Sequence, residues 1–126
     1  MTNTPLVIAA ILSIAIGLIH SVLGEKFIVT PLLKGEIPKI LGGDFFARRT
    51  IRFAWHFTTI AVWALAAIML VYATRTIDPA ATAVLGIISI AFVISSLISL
   101  LAVRGKHFSW WVFLLIALAI WWGLSY

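Results

Sequence analysis

The chain predicts an all-α integral membrane protein, a four-transmembrane-helix antiparallel bundle with a long amphipathic first connection on the cytoplasmic side. Three observations carry this expectation. Of the 126 residues, 63% are hydrophobic and 10% charged, whereas a soluble domain holds roughly a quarter charged residues. The apolar residues gather in four runs, each about long enough to cross a hydrocarbon core as a helix. Nearly all the charge falls in the gaps between the runs. The runs lack the alternation of barrel strands, so helices are the expected spanning form. The length suits one membrane domain over residues 1–126.

The first run covers about Leu6 to Leu23. Met1 to Pro5 hold no Lys or Arg, and no small-x-small cleavage site follows the run. A retained helix is therefore expected rather than a signal peptide. In the connection that follows, Phe27, Ile28, Val29, Leu32, Leu33, Ile37, Ile40 and Leu41 alternate with Lys26, Lys34, Glu36 and Lys39, and Pro31, Gly35 and Pro38 cut the stretch into pieces. Such a composition suits a segment lying in the headgroup plane. Gly42-Gly43 reads as a turn and Asp44 as the cap of a second helix over residues 45–73, with an interfacial start before its apolar part. Asp78-Pro79 reads as an N-cap followed by a first-turn proline, opening a third helix over 80–103. Arg104-Gly105-Lys106 reads as a tight hairpin into a fourth helix over 109–126.

Orientation follows from the cations. Lys26, Lys34, Lys39, Arg48, Arg49 and Arg52 fall in the first connection, Arg104 and Lys106 in the third, and only Arg75 in the second. The positive-inside rule puts the first and third connections in the cytoplasm and both termini outside, as in a multi-pass protein of a bacterial inner membrane. Trp55, Trp110 and Trp111 then mark the inner interface, and Tyr72, Trp121, Trp122 and Tyr126 the outer one. The net charge of +5 is accounted for by these flanks and by lipid headgroups, not by nucleic acid. The chain has no cysteine, which excludes disulfides, thiolate metal sites and thiol redox chemistry.

On the first helix, Ala9, Ser13, Gly17 and Ser21 recur every four residues, a small-residue stripe that lets helices approach closely, and His20 travels with it into the bundle. On the second, Arg48, Arg52, His56, Thr59 and Trp63 share one face, opposite Phe53, Phe57 and Ala61, and Arg49 points with the latter group to lipid. An inward arginine needs a carboxylate, a phosphate or carbonyls. Glu25, just after Gly24, is the natural partner, with Glu36 and Asp44 as others. On the third, Gly86, Ser89, Ser95, Ser96 and Ser99 read as packing residues.

Once oriented, His20, His56 and His107 fall in one layer near the inner end, level with Glu25, Arg48 and Arg52. Imidazoles from different helices are able to hold a transition metal, or to hold haem axially with arginines on its propionates. No local ligand spacing supports this, so only the fold would assemble it. No Asp or Glu lies within any run, which counts against a proton-coupled carrier. No buried inner acid is in view for a Ser-His-Asp site.

A binding or accessory protein comes first, with Arg48, Arg52, His56, Glu25 and Trp63 receiving a lipid headgroup, a quinone or a partner membrane protein, or serving a homo-oligomer. A metal or haem protein using His20 and His56, with His107 or Glu25 as a further ligand, in electron transfer, sensing or metal handling, comes second. An enzyme acting on a lipid-soluble substrate comes last.

Overall fold

The computed structural model of the chain describes residues 2–37 and 43–125. They form helices joined by short turns. The order is α1 (Thr4–Gly24), a π-helical turn (Glu25–Val29), α2 (Thr30–Lys34), α3 (Asp44–Ala73), α4 (Pro79–Ala102) and α5 (Ser109–Leu124). Three helical stretches, Thr4–Lys34, Asp44–Ala73 and Pro79–Ala102, are long and apolar enough to cross a membrane. The fourth expected span is the 16-residue α5, apolar but shorter than the others.

The first connection departs from expectation. Instead of leaving the helix at Leu23, the chain continues helically to Lys34. Thr30 donates its N–H to the carbonyl of Glu25, a five-residue spacing. The reason is Pro31, which has no N–H to give and whose ring crowds the carbonyl four residues back. One widened turn ahead of it lets the helix run on. Pro38, Lys39, Ile40, Leu41 and Gly42 lie outside the described residues, as does Tyr126. Asp44 is a second correction. It sits inside the first turn of α3, with Gly43 (φ 150°) in the cap position, and its carboxylate is spent on Arg48 one turn on.

Other ends follow local rules. Asp78 accepts from the N–H of Ala81 at 2.7 Å, with Pro79 opening α4. The hairpin after α4 closes as Gly105 N–H bonds the Leu100 carbonyl at 2.9 Å and Arg104 N–H the Leu101 carbonyl at 3.3 Å. That arrangement puts Arg104 in the left-handed region at φ 49°.

The helices do not close into a ring. α1 is central, packed along α3 on one side and α5 on the other; α4 packs on α5, and α3 barely touches α4. The α1–α3 seam uses the small-residue stripe. Ala9, Ser13 and Gly17 are buried. Two indoles of α3 bring their Nε1 edges against glycines of α1 and donate to its carbonyls, Trp63 Nε1 to Ile14 at 3.2 Å and Trp55 Nε1 to His20 at 3.1 Å. The α4–α5 seam uses serines: Ser89 Oγ donates to the Ala117 carbonyl and Ser96 Oγ to that of Trp110. At the opposite end from Glu25, buried Asn3 ties three helices together. Its side chain caps α1 at Leu6 N–H and donates to the Gly123 carbonyl at 2.7 Å, while its own N–H meets the Ala73 carbonyl at 2.7 Å.

A Cβ at Gly24 would stand 2.4 Å from Trp55 Cζ2, whereas one at Gly86 meets nothing within 4 Å. Gly24→Ala is expected to lower unfolding stability in detergent micelles by about 1–3 kcal/mol. Gly86→Ala is expected to be neutral or stabilising by up to about 1 kcal/mol. Reversible denaturant titration of both variants checks the contrast.

Candidate functional site

Two side-chain groups form at the end where α1 finishes and α3 begins. They lie on different sides of the α1–α3 seam because neighbouring residues on a helix point about 100° apart. His20 and Ser21 diverge in this way on α1, and Trp55 and His56 on α3.

The first group is an ion-paired cluster. Glu25 Oε1 accepts from Arg52 Nε at 3.0 Å and from Thr30 Oγ1 at 2.8 Å. Glu25 Oε2 stands 3.2 Å from His56 Nε2, and His56 Nδ1 stands 2.6 Å from Ser21 Oγ. The π-turn presents both Glu25 and Thr30 to the same point, since one extra residue separates them from the usual helical neighbours. With the carboxylate accepting at Nε2, the neutral ring carries its proton there, and Nδ1 takes the Ser21 hydroxyl proton in a hydrogen bond. A serine, an imidazole and an acid are thus in line, contrary to the expectation that no acid would serve such a set. The acid need not be interior, because it stands at the helix end and reaches His56 from there.

The second group lines a cavity of about 640 Å³ between α1, α3 and the start of α5. His20 stacks on Trp55 with ring centroids 4.3 Å apart. Its Nε2–H faces the Trp55 carbonyl at 3.3 Å and Thr58 Oγ1 at 3.0 Å, while the Thr58 hydroxyl donates to that same carbonyl. On the far wall, His107 Nδ1 accepts from the Ser109 N–H at 3.2 Å and lies 2.8 Å from Ser109 Oγ. The neutral ring therefore keeps its proton on Nε2. Val62, Phe108 and Phe113 are among the apolar lining. No Lys, Arg, Asp or Glu lines the cavity among the described residues.

The site residues expected from sequence are therefore divided. Arg52, His56 and Glu25 bind one another. Arg48 donates to Asp44 at 3.1 Å and to the Gly35 carbonyl at 3.1 Å, and it borders a separate recess with Lys34 and Glu36. Trp63 is a seam residue over Gly17. None of these five lines the cavity. The three histidines do not assemble. His20 and His107 face the cavity and His56 faces Glu25, so no group of three His, Cys, Asp or Glu stands close enough for a metal among the described residues. Ser21, Thr30, Trp55 and Thr58 were not expected as site residues. For Asn3, the run Asn-Thr-Pro was a legible helix-start signal. No family model, curated protein or solved structure matches the chain.

Trp55 joins α3 to α1 at this end, so Trp55→Phe removes the donor to the His20 carbonyl while keeping an aromatic ring. A loss of about 1 kcal/mol of stability is expected, together with a loosened His20 ring visible as sharper imidazole NMR signals.

Proposed function

We propose that this is a four-span membrane protein, with both termini outside and the Glu25 end at the cytoplasmic interface, that binds a neutral, lipid-soluble ligand with a polar ring. The ligand class that fits is a quinone. Support for the membrane setting comes from apolar side chains turned outward on every long helix, such as Ile11 at 57% exposed, Phe53 at 65% and Ile87 at 68%. In water such surface would drive association. The α5 span is short, and Trp110, Trp111, Trp121 and Trp122 near its ends suit the two interfaces.

The observation that carries the ligand reading is the cavity's chemistry. Its volume lies within the roughly 300–1,000 Å³ of small-molecule sites. Its polar groups stand on two walls, His20 and Thr58 on one and His107 and Ser109 on the other. Uncharged walls favour a ring with a carbonyl at each end over a phosphate headgroup, since a phosphate left without a cation carries a large desolvation cost. The His107 Nε2–H is the donor for one carbonyl. The role is that of a binding or accessory protein, with membrane lipid around it.

Two measurements test this. The chain lacks cysteine, so single cysteines at Gly105 and Thr76 report topology cleanly. The first is expected to label only from the cytoplasmic face and the second only from outside. Decylubiquinone titrated into the protein in nanodiscs is expected to quench tryptophan fluorescence saturably. His107→Ala combined with Thr58→Val is expected to raise Kd about tenfold. Unsaturable quenching, or unchanged Kd in the double variant, overturns the quinone reading.

A further inference from the structure

The Ser21–His56–Glu25 set plays no part in the cavity, because none of the three lines it. We propose that Ser21 is a nucleophile that attacks the carboxylic ester of a lipid, with His56 as its base and Glu25 as the residue that positions His56. The geometry carries this. Ser21 Oγ is 2.6 Å from His56 Nδ1, and the opposite ring nitrogen is 3.2 Å from the Glu25 carboxylate. A hydroxyl becomes a useful nucleophile only when a base takes its proton, and that base is effective when a third group fixes its tautomer. Here the carboxylate holds the proton on Nε2, so the lone pair that faces the hydroxyl is on Nδ1. The ring is reversed relative to the better-known serine enzymes, but the roles do not depend on which nitrogen does which.

The chain that would carry a substrate to Ser21 is lipid. Leu18 and Val22 beside it are 52% and 55% exposed, so an acyl chain lying along α1 brings its ester to the helix end. The reaction balances with water alone. Ser21 Oγ forms a bond to the acyl carbon while its proton passes to His56 Nδ1. The bond to the leaving alcohol breaks, and that oxygen takes the proton from His56. Water, deprotonated by His56, then attacks the acyl-serine, and the proton returns to Ser21 as the fatty acid leaves. Backbone N–H groups around Ser21 are spent within α1, so the oxyanion needs another donor. Arg52 is fixed by its Nε on the same carboxylate at 3.0 Å, and its other guanidinium N–H groups supply that charge.

The test uses the full chain in native-like nanodiscs and a long-chain alkyl fluorophosphonate, which bonds to an activated serine oxygen and expels fluoride. We expect a single adduct, mapped by peptide mass spectrometry to Ser21 and lost in Ser21→Ala. His56→Gln is expected to slow labelling about 100-fold or more. Glu25→Gln is expected to slow it less and Glu25→Asp to restore part of the rate, while Ser95→Ala leaves it unchanged. Helical circular dichroism and a monodisperse elution profile establish that each variant is folded. An unlabelled wild-type protein that is folded, an adduct on a different serine, or a rate untouched in His56→Gln overturns the proposal and leaves the set as a polar clamp between two helices. Quinone titration of Ser21→Ala stays at the wild-type Kd, so failure here is separable from failure at the cavity.

Discussion

The distance between α1 and α3 is the constraint on which the rest depends. Gly17 and Gly24 hold it short enough for the indoles of Trp63 and Trp55 to lie on the neighbouring backbone and bond its carbonyls. Burying a polar N–H beside apolar chains is costly unless it finds an acceptor. A helical carbonyl already bonded within its own helix still has a second lone pair to offer. Small residues expose that lone pair, and the tryptophans take it. Thr59 Oγ1 reaching the Gly17 carbonyl at 3.4 Å extends the same logic between them. With this spacing set, His20 is pressed onto Trp55, and Ser21 onto His56.

The polar residues at the Glu25 end then fall into two chemically distinct environments less than one helical turn apart. On one side a carboxylate, a guanidinium, an imidazole and two hydroxyls satisfy each other. On the other, two imidazoles and two hydroxyls look into an uncharged space walled by phenyl and aliphatic groups. Charge neutralised within the first group leaves the second free of fixed charge. A single rotation of about 100° along each helix makes this division. No buried polar side-chain atom lacks a partner among the described residues, so the arrangement is closed with respect to hydrogen bonding.

Much of this architecture was legible in the sequence. Hydropathy marks the three long helices because a 20-residue apolar run has few other uses. Asp78-Pro79 gave the start of α4, and the recurrence of Ala9, Ser13 and Gly17 gave the buried face of α1. The pairing of Arg52 with Glu25 follows from depth and charge alone. What was not legible is register. A stripe of small residues tolerates a slide of one turn, and only the fold decides whether His56 meets Ser21 or His20. For that reason the divergence of the three histidines was not readable. The π-turn was hidden too. Pro31 argued for a break, and a widened turn is a subtler answer to a missing N–H than a helix end. It also carries Thr30 round to Glu25.

The row order of the helices has one more consequence. α1 and α3 form one pair, α4 and α5 another, and apart from slight α3–α4 contact they meet along α1–α5, with Asn3 fastening the far end to both Ala73 and Gly123. Each pair is contiguous in the chain, and the link between them is the short stretch of residues 74–78. A gene divided at that link would yield two hairpins, each with its own seam intact. Their reassembly would depend chiefly on the α1–α5 interface and one asparagine, a split protein ready-made by its topology.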